Sequence, residues 1–334
     1  MVAIFLNVFD RKKNMRYSRQ VIFEKIGSEG QEKLRKSKVT IIGMGALGTR
    51  TAELLARAGV GDLTLIDRDV VELSNLQRQT LFTEEDVNKS KAFAALEHLK
   101  KINSQIKLKA IFKDINHKNI ESNVKGNLII DCTDNMESRF LINEFSVEKN
   151  IPWIFSSVIG STGMLFNIIP SKTACFNCIF QKPEEMLGTC DTEGIINTTS
   201  NLISSLQVTE AFKILTKQPA TKELVYYDIW KNKIEKTKVK KNNNCNVCNK
   251  KYSYLNGEKS EEIIKICGNN SYQLKGRKLK LSEVARKLEK IDKVLLNEYC
   301  LIFKELTMFA DGRTLIKSET PEEAKSLYTK YIGN

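Results

Sequence analysis

The chain has 334 residues, 41% hydrophobic and 28% charged, a composition typical of a globular protein and a length sufficient for two domains. Lysine and arginine outnumber aspartate and glutamate by 53 to 40, but the basic residues are spread out and not interleaved with aromatic side chains, so we expect no nucleic-acid partner. The apolar opening, residues 1–9, is far shorter than a membrane helix and lacks signal-peptide features. We therefore expect a cytoplasmic protein without membrane association.

The first elements predict an α/β sheet. Residues 39–42 form a short apolar run, a glycine-containing turn follows, and apolar residues at helical spacing continue to Ala58. Residues 63–66 predict a second strand, with Asp67 at its carboxyl end. Strand and helix patterns alternate as far as residue 147. This order predicts a doubly wound, mostly parallel, Rossmann-like sheet.

Residues 151–230 change to short strands and glycine-containing turns, with one long helix at about 201–215, and we interpret them as the second half of the same domain. Two Cys-x-x-Cys pairs close this half. In a cytoplasmic protein such pairs indicate a metal site rather than disulfides, and four thiolates predict a structural tetrahedral Zn²⁺ site. The predicted ligands are Cys175, Cys178, Cys245 and Cys248.

The remaining residues predict a small α+β module. Apolar residues at helical spacing run from Leu281 to Ile291, with Ser282 as a candidate cap, and two short apolar runs precede a turn at residues 311–312. Thr320 is a predicted helix cap, and Glu323 is predicted to complete a capping box. We divide the chain into an N-terminal extension (1–15), a nucleotide-binding domain with the zinc site (16–252) and a C-terminal module of unassigned role (253–334).

Gly43, Gly45 and Gly48 follow the first predicted strand and would let backbone amides approach a phosphate at a helix N-terminus. Asp67 stands where a carboxylate accepts hydrogen bonds from ribose hydroxyls. Dehydrogenases share this arrangement, and a tight turn without ligand would use the same glycines. These residues predict adenosine binding without indicating a reaction.

Polar residues beyond the turn favour a triphosphate, because cations and amide donors neutralise the charge that develops when an α-phosphate is attacked. The candidates are Arg19, Asn75, Arg78 and Lys91. Asp134 follows the buried strand 128–131, at the sheet edge where a carboxylate would hold Mg²⁺. A helix N-cap is the alternative role for Asp134 with Asn135.

Several strings in this chain, taken together, resemble the ubiquitin-activating-like adenylyltransferases. They are RYSRQ, GMGALG, DRDVVELSNLQRQ, KSKA, DCTDN, the two Cys-x-x-Cys pairs and SSLQVTEAFKIL, in order between residues 16 and 249. The resemblance is to activators of sulfur carriers for molybdopterin synthase and thiamine biosynthesis (MoeB, ThiF and HesA type). It implies that ATP adenylates the C-terminal glycine carboxylate of a ubiquitin-fold carrier ending in Gly-Gly, with release of pyrophosphate.

The resemblance also implies residue roles. Asp67 would hold the ribose and Asp134 would hold Mg²⁺, with Asn135 beside the nucleotide. The phosphates would be held by Lys91 and by the segment Ser74, Asn75, Leu76, Gln77 and Arg78. Arg19 would reach into the site of a partner subunit, which implies a homodimer. Because the attacking carboxylate is already ionised, no base is required, and catalysis is positioning and electrostatics.

The chain departs from the family pattern at Ala46, where a glycine is usual, and we expect the methyl group to be tolerated if its φ is negative. Cys190 occupies the position at which relatives carry a cysteine that forms a thioester or acyl-persulfide, although some relatives stop at the adenylate. Cys132, Cys267 and Cys300 are predicted core residues.

Three alternatives remain open from the sequence. A nicotinamide-dependent oxidoreductase would explain the glycine turn and Asp67, but not the phosphate-binding cations or the zinc site. The same adenylation chemistry could act on a tRNA base or a peptide. A non-catalytic scaffold could bind a ubiquitin-like protein, although the presence of Arg78, Lys91 and Asp134 argues against it.

Overall fold

The computed structural model describes residues 16–180, 193–259, 263–266 and 271–333. Its larger sheet has eight strands in the order β3-β2-β1-β4-β5-β6-β7-β8. Parallel pairing joins the strands from β3 to β5, and β5 to β8 are antiparallel. The strands are β1 (Lys38–Ile42), β2 (Asp62–Asp67), β3 (Lys107–Phe112), β4 (Leu128–Asp131), β5 (Trp153–Ile159), β6 (Thr162–Ile168), β7 (Glu223–Asp228) and β8 (Lys233–Lys238).

Helices cover both faces of this sheet, which confirms the doubly wound prediction. One apolar cluster includes Ile41, Leu55 and Ile203, and the other includes Phe140 and Trp153. The helices are α1 (Ser18–Ile22), α2 (Gly27–Lys36), α3 (Ala46–Ala58), α4 (Lys91–Ile102), α5 (Ile120–Asn123), α6 (Met136–Lys149), α7 (Phe176–Ile179) and α8 (Asn197–Thr216).

The strand order reverses direction between β1 and β4. At such a switch point the loops leaving the two strands diverge and open a crevice at the carboxyl edge of the sheet. The glycine turn follows β1, and the loop that carries Asp134 follows β4. The fold therefore places both predicted phosphate-binding elements at one edge.

Helix α8 ties the glycine-turn helix to β4 through buried polar contacts. Ser204 Oγ donates to the carbonyl of Leu47 at 3.0 Å, and Thr51 Oγ1 donates to Gln207 Oε1 at 2.9 Å. Gln207 Nε2 in turn donates to the carbonyl of Asp131 at 3.0 Å. The SSLQ string thus fixes the two sides of the crevice relative to each other.

The C-terminal module forms a separate antiparallel sheet in the order β11-β12-β13-β14-β10-β9. Its own core includes Leu301, Phe303, Met308 and Ile316. The elements are β9 (Ile263–Ile266), β10 (Ser271–Lys275), α9 (Leu281–Leu288), β11 (Leu295–Leu296), β12 (Leu301–Phe303), β13 (Leu306–Met308), β14 (Arg313–Lys317) and α10 (Pro321–Tyr331). The predicted α+β module is confirmed.

Two details of this module differ from the sequence prediction. Helix α9 begins at Leu281 and ends at Leu288, so Ser282 lies inside the first turn and does not cap it. Thr320 caps α10 as predicted, accepting from the Glu323 amide at 3.2 Å. The Glu323 carboxylate, however, accepts from the amide of Glu319 rather than from Thr320. The side chain of Glu323 therefore bonds the residue before the cap, and the predicted capping box is not formed.

The buried positions of Cys132 and Cys300 confirm their prediction as core residues, whereas Cys267 lies outside the described residues. Within the described part of the chain, no helix combines the length and apolar character needed to cross a bilayer.

Candidate functional site

Two glycines allow the turn after β1 to pack closely. Gly43 has a φ of +94°, and its amide donates to the carbonyl of Ile66 at 2.8 Å. A Cβ atom at Gly43 would overlap the carbonyl of Cys132, and one at Gly48 would overlap the carbonyl of Gly43. Both positions therefore require glycine for the backbone to close, whether or not a nucleotide is bound.

Gly45 differs because it borders open space. An added Cβ would meet Gln79 Nε2 at 3.8 Å as its nearest neighbour. Gly45 is the N-cap of α3 and supplies no side-chain cap, so the first amides of α3 are available to an anion. Ala46 begins the helix and is not among the residues with positive φ, so its methyl group is tolerated as expected.

Asp67 ends β2 and is 9% exposed. Its Oδ2 accepts from the amide of Met44 at 2.5 Å, and its Oδ1 accepts from the amide of Asp69 at 2.7 Å. Burial raises the pKa of Asp67, and the charge of Lys91 opposes that shift. The carboxyl group predicted to hold a ribose thus also shapes the glycine turn.

Lys91 begins α4 beside Asp69. Its backbone amide donates to the Asp69 carbonyl at 3.0 Å, and its Nζ lies 3.7 Å from Asp69 Oδ2. Burial favours the neutral amine, but Asp69 and Asp67 outweigh it and raise the pKa of Lys91 above its usual value. Lys91 therefore carries a fixed positive charge at this edge.

The segment predicted to hold phosphates is a short 3₁₀ helix and a turn, residues 73–79. Asn75 is buried and its Oδ1 accepts from the amide of Glu72 at 3.2 Å, so its side chain closes the helix start. Arg78 Nη1 donates to the carbonyl of Ser74 at 3.0 Å. The side chains that reach the surface are those of Leu73, Ser74, Leu76, Gln77 and Arg78.

Asp134 lies in the loop after β4 with its side chain 48% exposed. Asn135 is the N-cap of α6, since its Oδ1 accepts from the amide of Ser138 at 2.9 Å. The capping alternative is therefore correct for Asn135. Asn135 Nδ2 lies 3.4 Å from Asp134 Oδ1, and the Asp134 carboxylate keeps access to solvent.

Sequence reasoning missed the arginine between the two acidic residues of the DRD string. Arg68 Nη1 donates to Asp114 Oδ1 at 3.2 Å, and its Nη2 lies 3.8 Å from Asp134 Oδ1. Burial would lower the pKa of Arg68, but Asp114, Asp69 and Asp134 raise it. Asp114 lies two residues after the end of β3, as Asp69 lies two residues after the end of β2, a repeated position that could have indicated it.

Arg19 does not meet this set within one chain. Its helix, α1, packs at the far end of α3, where Gln20 Nε2 donates to the carbonyl of Ala58 at 3.0 Å. Gly45 caps the opposite end of α3, a helix of 13 residues. At 1.5 Å per residue the two ends are about 20 Å apart. Arg19 is exposed at that distant end.

The four predicted metal ligands come together. Cys175 Sγ lies 3.5 Å from Cys245 Sγ and 3.7 Å from Cys178 Sγ, and Cys178 Sγ lies 3.6 Å from Cys248 Sγ. All four sulfur atoms lie within 4.8 Å of one another. Tetrahedral zinc with bonds of about 2.3 Å requires sulfur separations of about 3.8 Å. The cluster fits a four-coordinate metal, while Cys190 lies outside the described residues.

The model of the ThiF family matches residues 17–247. A sulfur carrier protein ThiS adenylyltransferase of Bacillus subtilis is 37% identical over 95% of this chain and 99% of its own length. The Escherichia coli protein of that name is also 37% identical, over 70% of this chain and 94% of its own. The Bacillus alignment therefore extends into the C-terminal module.

Two further similarities bear on the nucleotide. A molybdopterin-synthase adenylyltransferase of Salmonella typhimurium is 34% identical over 70% of this chain and 96% of its own length. The crystal structure of Escherichia coli MccB with ATP matches 71% of this chain and 75% of that chain, with a TM-score of 0.63 and 25% identity. An ATP-bound structure thus shares the fold of the larger sheet.

Proposed function

This chain belongs to the ThiF family, and from that premise we propose that it adenylates the C-terminal glycine carboxylate of a ubiquitin-fold sulfur-carrier protein. One observation carries the proposal. The glycine turn, Asp67, Lys91 and Asp134 lie together at the switch point of the sheet. Relatives of this chain are named adenylyltransferases. A nicotinamide enzyme would need the first two features and would not need the cations at this edge.

ATP is held by the residues of the carboxyl edge. The amides of Gly45 and Ala46 face the phosphates, and Asp67 accepts from the ribose hydroxyls while keeping the turn in shape. The acidic neighbours of Lys91 keep its amino group protonated, so Lys91 offers a positive charge. Arg78 donates one hydrogen bond to the carbonyl of Ser74. Its other donors would bind the leaving pyrophosphate.

Asp134 is the residue that would hold Mg²⁺. Its side chain is 48% exposed and its neighbours are an amide at 3.4 Å and a guanidinium at 3.8 Å, so a carboxylate oxygen is accessible to a hard cation. When bound, Mg²⁺ shields the charge of the phosphates. Asn135 keeps this loop in place by capping α6.

The attacking group brings its own charge. A glycine carboxylate is ionised at neutral pH, so its oxygen attacks the α-phosphorus without a general base, and the bond from that phosphorus to the bridging oxygen of pyrophosphate breaks. The two histidines have other neighbours: His98 Nε2 lies 2.7 Å from Asp86 Oδ2, and the ring of His117 lies beside Gly257. Positioning and fixed charge account for the catalysis.

The four-cysteine cluster is proposed as a structural Zn²⁺ site. It joins α7 to the segment after β8, and Cys175 and Cys245 are buried. Four thiolates leave no position open for a substrate, which suits a structural role. Thiols kept free for a metal also indicate a reducing compartment, and we place the protein in the cytoplasm.

A homodimer is proposed because Arg19 lies about 20 Å from the nucleotide edge of its own chain. A two-fold assembly would bring it to the edge of the partner. A second step at Cys190 is also proposed: its thiolate would attack the carrier's acyl carbon, forming a thioester and releasing AMP.

A peptide is the second candidate substrate. MccB, which shares the fold at 25% identity, is described in complex with MccA. The relatives at 37% identity are named for the carrier ThiS, and the one from Bacillus subtilis spans 95% of this chain. The higher identity and the greater coverage favour the carrier protein.

ATP–pyrophosphate exchange tests the proposal. Purified protein is supplied in turn with each small ubiquitin-fold protein ending in Gly-Gly from the same genome. We expect exchange with one carrier, lost by about 10²-fold or more in Asp134→Ala, since the loss of one electrostatic stabiliser has effects of that size. Glu322→Ala, which removes an exposed carboxylate in the first turn of α10 of the C-terminal module, is the control for charge.

Exchange that depends on one carrier and on Asp134 would establish the reaction. Exchange with the C-terminal peptide alone would favour the second candidate. Absence of exchange with every carrier and peptide would refute adenylation of a carboxylate.

A further inference from the structure

We propose that the C-terminal module is part of the nucleotide site, with Gln273 positioning Arg68 through Asp114 so that the Asp134 carboxylate stays free for a cation. The inference rests on the proposed function, because it concerns the same ATP and Mg²⁺ edge. It gives the module a role that neither its composition nor its fold indicates.

The module docks beside this edge through aromatic side chains. Phe112 ends β3, and its ring lies 5.8 Å from that of Tyr299 and 5.7 Å from that of Phe309, both edge-on. Tyr299 also stacks on Phe93 of α4 at 6.1 Å. Val70, Cys300 and Phe309 form a buried cluster across the junction. The module is therefore held against the strand whose end carries Asp114.

A continuous polar path leads from the module to Asp134. Gln273 of β10 is 2% exposed, and its Nε2 donates to Asp114 Oδ2 at 3.3 Å. Arg68 Nη1 donates to the other oxygen, Oδ1, at 3.2 Å. Arg68 Nη2 then lies 3.8 Å from Asp134 Oδ1. One carboxylate oxygen of Asp114 thus accepts a hydrogen bond from the module, and the other accepts one from Arg68.

The distances indicate which acid holds Arg68. Its guanidinium is hydrogen-bonded to Asp114, whereas 3.8 Å to Asp134 is beyond a hydrogen bond. The Arg68 side chain is 11% exposed, and its Nε lies 3.9 Å from Asp69 Oδ1, which is likewise beyond a hydrogen bond. An Arg68 released from Asp114 would move towards Asp134 and compete with a cation for its oxygen. Fixing Asp114 therefore protects the cation-binding carboxylate.

A second charge from the module reaches the same edge. Arg313 is 1% exposed; its Nε donates to Asp311 Oδ2 at 2.8 Å, and its guanidinium carbon lies 4.3 Å from the Phe309 ring centre. Burial raises the pKa of Asp69, but Lys91, Arg68 and Arg313 together lower it. The module thus adds positive charge beside the acidic residues that surround Lys91.

The test is a magnesium titration of ATP binding to the full-length protein. Gln273→Met removes the donor to Asp114 and retains a side chain of similar length; the Oε1 atom that it loses has no partner among the described residues. We expect the Mg²⁺ concentration for half-maximal ATP binding to rise about three- to tenfold, a coupling of ordinary size. ATP affinity in EDTA should change less than about twofold, because the nucleotide contacts remain.

Asn297→Ser is the matched control. Asn297 Nδ2 donates across the same junction, to the carbonyl of Asn88 at 2.9 Å, but has no contact with Asp114. Serine keeps an acceptor for the amides of Tyr299 and Cys300, which Asn297 caps. If these contacts served only to dock the module, Asn297→Ser and Gln273→Met would raise the Mg²⁺ concentration for half-maximal ATP binding by the same factor. Melting temperatures of both variants report on docking itself.

Asp114→Asn tests the path. It weakens the hold on Arg68 directly, so its shift should exceed that of Gln273→Met, and adding Gln273→Met to it should cause no further shift. Full additivity, no shift in Gln273→Met, or equal shifts in Gln273→Met and Asn297→Ser would each overturn the inference. A wild-type protein that binds ATP independently of Mg²⁺ would instead contradict the proposed magnesium role of Asp134, and the inference with it.

Discussion

At the scale of single residues, glycines of one motif have different physical roles. Gly43 and Gly48 are required because a Cβ at either position would overlap a backbone carbonyl. Gly45 has room for a Cβ, and that room lies where the amides at the start of α3 are open. The motif therefore combines a folding requirement with a ligand requirement, and substitution can separate them.

We predict that Gly43→Ala destabilises the protein by about 3 kcal/mol or more, because it combines a positive φ with a clash against Cys132. Gly45→Ala should cost about 1 kcal/mol and raise the KM for ATP roughly tenfold, because the methyl group stands where a phosphate approaches. Chemical denaturation and exchange kinetics check the pair. Equal loss of stability in both variants would contradict the division of roles.

At the scale of elements, the cysteine cluster joins parts of the chain that pack under the second half of the sheet. The segment after Cys248 lies over α6, where buried Glu144 accepts from the amides of Ser253 and Leu255 at 3.2 and 2.7 Å. Tyr254 stacks on Phe140 of α6 at 5.0 Å. A metal bound by the four cysteines would hold the segment after Cys248 against α6.

Cys248→Ser should reduce bound zinc from about one ion per chain and lower the melting temperature by roughly 5 °C or more, since metal-binding energy is folding energy. Cys248 is the exposed ligand, so the serine itself causes little strain. Atomic absorption and thermal melting measure the two effects. Asn246→Ser, exposed between the two ligands, is the control and should keep both values. If Cys248→Ser still bound about one zinc ion per chain, Cys248 would not be a zinc ligand.

At the scale of the whole molecule, the proposed homodimer rests on the position of Arg19 at the far end of α3. Its helix is anchored at the far end of α3 by Gln20 and by Tyr17, whose hydroxyl accepts from Asn103 Nδ2 at 2.8 Å. Such anchoring leaves Arg19 free to contact another copy while its own nucleotide edge stays distant.

Mixing two inactive variants tests this arrangement. In a dimer of Arg19→Ala with Asp134→Ala, one site receives Asp134 from its own chain and Arg19 from the other. After random exchange, half of the dimers are mixed and each has one intact site, so about 25% of wild-type exchange activity should return. No recovery in dimers shown to be mixed by native mass spectrometry would place Arg19 outside the partner's site.

Local patterns determined most of the elements and the cysteines of the cluster. The apolar runs at residues 39–42 and 128–131 predicted β1 and β4, and the two Cys-x-x-Cys spacings predicted a cluster that the fold assembles. Apolar periodicity and turn residues depend only on nearby positions, so the sequence alone reveals them. The same holds for Thr320, whose cap depends on residues three positions away. The predicted apolar stripe of α9 extended too far, because the helix ends at Leu288 and Ile291 is 59% exposed.

Tertiary structure alone decided the contacts between distant residues. Gln273 meets Asp114 across 159 positions of sequence, and Arg68 meets Asp114 across 46. No spacing rule links such residues, because strand order and module docking set their distance. The sequence by itself determined the α/β class, the glycine turn and the four cysteines of the cluster. The tertiary structure decided which charges share one edge, since charge interactions depend on separation in space.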